Sequence, residues 1–271
     1  MTAVSYGVDI NEFPGNLIEC NCTVPTRLNP SFGEIFYTTN DRVSNYNGLV
    51  FAIRGRFGQK FIDASYTRSS SKDDEGVYPT PTDPYQYDSP SAWDAPNRFS
   101  LAGTYQLPGL NQGRGLAGHI TEGWELSGTS IYQTGYPFTV ANYAPFSPLR
   151  NASGQVIGFA PGSGDYLADG DNFSYPDVTS YAESTSRSAF LGGIFSPGEF
   201  AAPALATNGN EKPGQFREPG FAETDLALIK NTKIGERANL ELRFEFYNIF
   251  NTPNLENVDL GMTDATFGRA T

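Results

Sequence analysis

The 271 residues carry a net charge of −12, and 38% of them are hydrophobic, while Gly (29), Pro (19), Phe (20) and Tyr (15) are abundant. The acidic balance argues against a nucleic-acid partner, whose phosphates demand a basic surface. No stretch approaches the ~20 consecutive apolar residues of a membrane-spanning helix, which excludes helical membrane proteins and leaves membrane-crossing strands open, because their signal per segment is weak.

Residues 1–45 read as a long loop rich in Pro, Asn and Gly, with a short strand at about 34–39. Met1-Thr2-Ala3-Val4-Ser5 has neither the basic nor the apolar region of a signal peptide, so the natural start is expected upstream. Cys20 and Cys22 are one residue apart, a poor geometry for a mutual disulfide, and no nearby His completes a zinc set. The first long strand is expected at about 46–57, with Leu49, Phe51 and Ile53 on one face and Val50, Ala52, Arg54 and Arg56 on the other. Gly58-Gln59 makes a tight turn into a second strand at about 60–70, where Ile62, Ala64 and Tyr66 oppose Asp63, Ser65 and Thr67. The loop 71–96 is acidic (Asp73, Asp74, Glu75, Asp83, Asp88, Asp94) and reads as a solvated surface.

A third strand, about 97–107, sets Phe99, Leu101, Gly103, Tyr105 and Leu107 against Arg98, Ser100, Ala102, Thr104 and Gln106. A short Gly-rich connection follows. The fourth strand is expected at about 119–134, with Trp124, Leu126, Gly128 and Tyr132 opposite Glu125, Ser127, Thr129 and Gln133. The segment 135–220 reads as one very long irregular loop. Strands at about 221–233 and 237–251 form the clearest hairpin: Leu240, Leu242, Phe244 and Phe246 face one way, while Asn239, Glu241, Arg243, Glu245 and Tyr247 face the other. Residues 252–271 read as a final loop.

A soluble sheet with one buried face also alternates. Here, however, the connections alternate short and long along the whole chain. Apolar-outward strands joined by short periplasmic turns and long extracellular loops describe an outer-membrane barrel. The expected fold is therefore all-β: about six antiparallel up-and-down strands of a transmembrane β-barrel, a partial barrel with long irregular extracellular loops. Trp124, Phe57 and Phe61 would form the aromatic girdle near the short turns, and Tyr66, Phe99, Tyr132 and Phe138 the one near the long loops.

The blocks Asn29-Pro30-Ser31-Phe32-Gly33, Ser44-Asn45-Tyr46-Asn47-Gly48-Leu49, Asn97-Arg98-Phe99, Gly123-Trp124-Glu125-Leu126-Ser127-Gly128, Gln133-Thr134-Gly135-Tyr136-Pro137-Phe138 and Arg243-Phe244-Glu245-Phe246-Tyr247-Asn248-Ile249-Phe250-Asn251 follow one another in an order that resembles TonB-dependent outer-membrane receptors, most closely an Oar-like branch with a carboxypeptidase-regulatory-like domain. The resemblance covers nearly the whole chain. It implies a large barrel in the cell outer membrane of a Gram-negative-type bacterium, filled by an N-terminal plug and energised by a TonB-type partner of the inner membrane. It also implies that plug and final strand lie outside these residues, and that the chain is a C-terminal barrel portion.

No catalytic constellation is expected. The single His, His119, reads as a turn residue, which makes Ser-His-Asp or His-based metal chemistry a poor fit. Glu241, Arg243 and Glu245 share one face; paired carboxylates serve glycosidases, but an interleaved Arg suits a salt-bridged barrel wall that contacts a plug or ligand. Asp165, Asp169 and Asp171, with Asp177 nearby, resemble a calcium loop, yet Leu167 occupies the third position and no bidentate Glu closes the run, so a solvated Asp-rich turn is the alternative. Loop aromatics such as Tyr136 and Phe138 offer stacking surfaces for an extracellular ligand, or pack on one another. No cofactor is expected apart from that calcium. Outer-membrane lipid, the plug, the energy-coupling protein and an unidentified extracellular ligand are the expected partners. The expected function is nutrient binding and import. The alternatives are a surface adhesion or interaction protein on the same barrel, or a soluble secreted β-rich carbohydrate-binding module.

Overall fold

Period-two alternation resolves into six long strands paired in chain order: β1 (Ser44–Phe57), β2 (Lys60–Asp73), β3 (Asn97–Gln106), β4 (Trp124–Gln133), β5 (Phe221–Ile234) and β6 (Ala238–Phe246). Every neighbouring pair is antiparallel. The structure is a computed structural model that describes residues 6–9, 29, 31–32, 35–39, 43–74, 88–109, 115–140, 148–154, 156–159, 175–181, 184, 186–201, 203, 209–235, 238–262 and 264–270. Among these residues the sheet is open at β1 and β6, a partial barrel. Among the described residues, no helix is long and apolar enough to cross a membrane.

The turns follow from local chemistry. Phe57 pairs with Lys60 across Gly58-Gln59, and Gly58 takes φ 61°, the left-handed first position that a two-residue hairpin of this hand requires. Between β5 and β6, where Ile234 pairs with Ala238 across three residues, Gly235 also takes a positive φ, 62°. Residues 119–123, expected as strand, instead end the short helix α1 (Gly115–Thr121) and turn into β4. His119-Ile120-Thr121-Glu122 lacks alternation, and Gly123, at φ 73°, closes the helix as a left-handed terminal glycine does.

One register runs across all six strands, and it sorts the side chains into two faces. Phe51, Tyr66, Phe99 and Tyr132 form one cross-strand row; Tyr105, Leu126, Leu228 and Phe244 form another. The opposite face carries the row Arg54, Asp63, Ala102, Thr129, Asp225. Phe61 pairs with Arg56 and Thr104 and so lies on this polar face, not in the outward girdle where it was expected. Among the described residues nothing covers the apolar face of β1: Leu49, Phe51 and Ile53 are 57%, 59% and 63% exposed. A soluble sheet would bury such rows, which here are left for lipid.

The buried apolar core lies at the long-loop end, not in the sheet. Pro137–Phe138 pairs with Phe216–Arg217 in the register that β4 and β5 already share, so the ladder continues beyond Gln133 and Phe221. Above it, Phe138, Val140, Phe190, Phe200, Phe216, Val258, Phe267 and Ala270 form a core. The segment 135–220 is thus folded where described, with helix α2 (Arg187–Gly192) capped by Ser186 and the pair Asp177–Val178 with Phe200–Ala201. The tail after β6, expected as a free loop, docks into the same core. Ile194 N–H donates to Gly268 O (3.0 Å), Ala270 N–H to Phe190 O (3.1 Å), and Phe267 stacks on Phe195 at 5.3 Å.

Candidate functional site

Two surfaces are available for function: the inward wall of the sheet and the folded platform at the long-loop end. On the wall, alternation along β6 places Glu241, Arg243 and Glu245 on one face. Arg243 Nη2 lies 3.3 Å from Glu241 Oε1 and Nη1 lies 3.4 Å from Glu245 Oε1, while Tyr247 donates from its hydroxyl to Glu245 Oε2 at 2.8 Å. All four are exposed. Arg54 and Asp63 repeat the motif on the same face near the other edge of the sheet, Nε to Oδ2 at 2.8 Å. Exposed pairs of this kind add little stability. What they create is a hydrated, charged lumen surface, with Arg54, Arg56 and Arg98 beside Asp63 and Asp73 on β1–β3, and Glu125, Glu223, Asp225, Glu241 and Glu245 beside Lys233 and Arg243 on β4–β6, which is the more acidic half. The two carboxylates flanking Arg243 are committed to it and to Tyr247, so they are not a free acid–base pair.

On the platform, a buried ion pair ties two loops together. Arg217 donates from Nη2 to Asp94 Oδ2 (2.5 Å) and from Nη1 to Asp94 O (2.7 Å), and Asp94 Oδ1 accepts from Ser71 N–H at 2.7 Å. Asp94 is 4% exposed, so it is not part of the solvated acidic surface expected for 71–96. Phe138 is buried as well: its ring packs against Phe216 and Phe195, with centroids 5.7 and 6.1 Å away, and takes no part in the outward girdle. Tyr136 is half-buried and meets the exposed Trp93 edge-on, with centroids 5.7 Å apart. Of the expected ligand-contacting aromatics, Tyr136 therefore keeps access to solvent and Phe138 does not. Asp177 accepts from Asn210 N–H at 3.0 Å, whereas Asp165, Asp169 and Asp171 lie outside the described residues. Among the described residues, no group of three or more His, Cys, Asp or Glu is placed to hold a metal.

Sequence reasoning passed over three groups. Glu211 is 1% exposed and accepts from Val140 N–H at 2.6 Å, with Oε2 unpartnered; burial outweighs that hydrogen bond and pushes its carboxyl up to about 9. Lys230 lies on the apolar face, its ammonium 5.7 Å from the Trp124 ring and bonded to Glu122 O. Its even position in β5, continuing Leu226 and Leu228, was the available signal. Trp93 had none, since a turn residue belongs to neither period.

A single-layer antiparallel meander with an apolar outer face, a charged inner face, short turns at one end and a folded loop platform at the other is the wall of an outer-membrane β-barrel. The family model described as Outer membrane beta barrel domain matches residues 2–271, and the chain belongs to that family. No curated protein and no solved structure matches it. Its place in the outer membrane follows, and the soluble-module alternative falls.

Proposed function

We propose that these residues form part of a TonB-dependent outer-membrane receptor that binds a nutrient outside the cell and imports it with inner-membrane energy, acting as a receptor and not as an enzyme. The observation that carries this reading is the ordered series of receptor-like blocks, from Asn29-Pro30-Ser31-Phe32-Gly33 to the Arg243–Asn251 run. Two features support it. The lumen wall is charged and unfilled by its own side chains, as a wall that receives a plug needs to be. The loop platform is pre-folded around an aromatic core, which spares a ligand the cost of ordering it.

The test is uptake by cells carrying or lacking the full-length gene, across a panel of labelled oligosaccharides, peptides and metal chelates, with and without a protonophore. Accumulation of one substrate that needs both the gene and the proton gradient is the expected result. Gene-dependent binding of cells to a surface, with no gradient-dependent uptake of anything in the panel, would favour the adhesion reading on the same scaffold.

A further inference from the structure

At the short-turn end the inner wall holds a cavity of about 330 Å³, within the size range of small-molecule sites. Its polar lining is Gln59, Gln106, Glu122, Glu125 and Asn231, and among the described residues no Lys or Arg lines it. Backbone hydrogen bonds that continue the ladders past the strand ends fix its walls. Gln106 N–H donates to Gln59 O (2.9 Å), Leu107 N–H to Trp124 O (2.8 Å) and Asn231 N–H to Gly123 O (2.8 Å). Gln106 and Glu125 are direct cross-strand partners, and with Asn231 they stand on the charged inner face. On the outward side, the Lys230 ammonium is bonded to Glu122 O and holds the turn that leads into β4.

The polar groups of this cavity differ from those on the rest of the wall. Along much of the inner face, charged and amide side chains pair with one another: Arg54 with Asp63, Arg243 with Glu241 and Glu245, Arg98 with Gln133. In the cavity, the Glu125 carboxylate and the Gln59 and Gln106 amides have no hydrogen-bond or ion-pair partner among the described residues. Asn231 Oδ1 accepts from Asn239 Nδ2 (3.1 Å), which leaves the Asn231 Nδ2 as a donor. Three amides and a carboxylate thus converge on one concavity with their hydrogen-bonding capacity unspent. Glu125 is half-buried, so its field is less screened than that of a carboxylate on an open surface, and it selects a cation.

We propose that this cavity binds the guanidinium group of a basic peptide on its way to the periplasm. The planar fork of an arginine gives paired, charge-assisted hydrogen bonds to the Glu125 carboxylate and has further N–H groups for the carbonyl oxygens of Gln59 and Gln106. The amides of Gln59, Gln106 and Asn231 also match the N–H and C=O groups of the peptide backbone. The more acidic half of the inner wall, β4–β6, leads to the cavity from the long-loop end and favours a cation along that path. That the peptide is the imported nutrient rests on the receptor reading; the cavity's choice of a cation does not.

The test is calorimetric titration of full-length protein in mild detergent. The probes are a capped tripeptide with arginine between two glycines, its lysine form, and its citrulline form, in which the guanidinium is replaced by an uncharged urea of the same shape. Wild type is expected to bind the arginine form about tenfold tighter than the citrulline form, the margin of one charge-assisted hydrogen bond, with the lysine form between them. Glu125→Gln should erase that preference. Glu223→Gln, the same loss of charge at the other end of the wall, should keep it. Folding is checked by the mobility of unheated protein on gels. Should Glu125→Gln not fold, Gln106→Lys, which sets an ammonium directly across from Glu125, gives the same readout. Equal affinity of wild type for the arginine and citrulline forms, or a preference that survives Glu125→Gln, would overturn the proposal. Arginine preference without gradient-dependent uptake of any arginine peptide would keep the cavity and sink the receptor reading. Gradient-dependent uptake of another substrate, with no arginine preference in the titration, would sink the cavity alone.

Discussion

At Glu211 a single carboxyl sets how the loop platform responds to pH. Burial raises it to about 9 from an ordinary value of 4.5, against the opposing donation from Val140 N–H. A raised folded value means that the folded state holds the proton more tightly. The stability this gives is fully present below pH 4.5 and is lost as pH rises toward 9, so on the order of 3 kcal/mol is gone by pH 7. Limited proteolysis of the loops in full-length protein should therefore speed up from pH 5 to pH 9. Glu211→Gln keeps the shape and an acceptor for Val140 without the charge; it should match wild type near pH 5 and resist protease better at pH 8–9. A variant with the same pH profile as wild type would remove Glu211 from this role. Little at this scale was legible in advance. Asp94 sits in a Ser-Ala-Trp-Asp-Ala-Pro run that looks like any acidic loop, and its partner Arg217 is 123 residues away. Asn248 and Asn251 could be read as part of a motif, but not that both take positive φ (45° and 48°) to turn the chain off β6, a conformation Asn tolerates better than most residues.

Strands were legible where one physical rule governs many residues together. Period two, read over ten to fourteen positions, located all six strands to within a few residues, apart from the start of β4 and the end of β6. Those errors have local causes: residues 119–123 are held by helix α1 and the Gly123 turn, and residues 247–251 by the asparagine turn, with Asn248 Oδ1 accepting from Thr252 N–H at 2.9 Å. The loop core was not legible, because its aromatics meet through tertiary contacts that follow no period. The alternation itself makes a sharp prediction on β3. Leu101 faces outward between Ala64 and Ser130, while Ser100, one residue earlier, faces the lumen between Ser65 and Ile131. Leu101→Arg should cost about 2–4 kcal/mol, the cost of a charge near the lipid midplane. Ser100→Arg should lose only the 2.8 Å hydroxyl bond to Ser65, about 1 kcal/mol, because the arginine remains hydrated. Refolding titrations of the full-length protein into lipid vesicles measure both, and equal costs would mean that β3 does not have one lipid face and one water face.

For the molecule as a whole, the open edges and the two faces pose one problem. β1 runs from the long-loop rim to the short-turn rim and β6 runs back, so the two edge strands are antiparallel to each other. Backbone groups left unpaired on either edge would cost several kcal/mol each in hydrocarbon, so both edges must be continued in the membrane. Any strands that join β6 back to β1 with alternating direction must be even in number, which keeps the barrel total even, as bacterial barrels have it. Closure also demands that every strand turn the same face to lipid, because one inverted strand would put charged residues into the bilayer along its whole length. Single spin labels at Leu101, Leu126, Leu228 and Leu242, and at Ser100, Glu125, Ala227 and Glu241, test this across four strands in full-length protein in vesicles. The first group should be relaxed by oxygen dissolved in the bilayer, and the second by a water-soluble nickel chelate. A strand whose two labels respond in the opposite sense would be inverted, and the shared register from β3 to β6 would then be wrong at that strand.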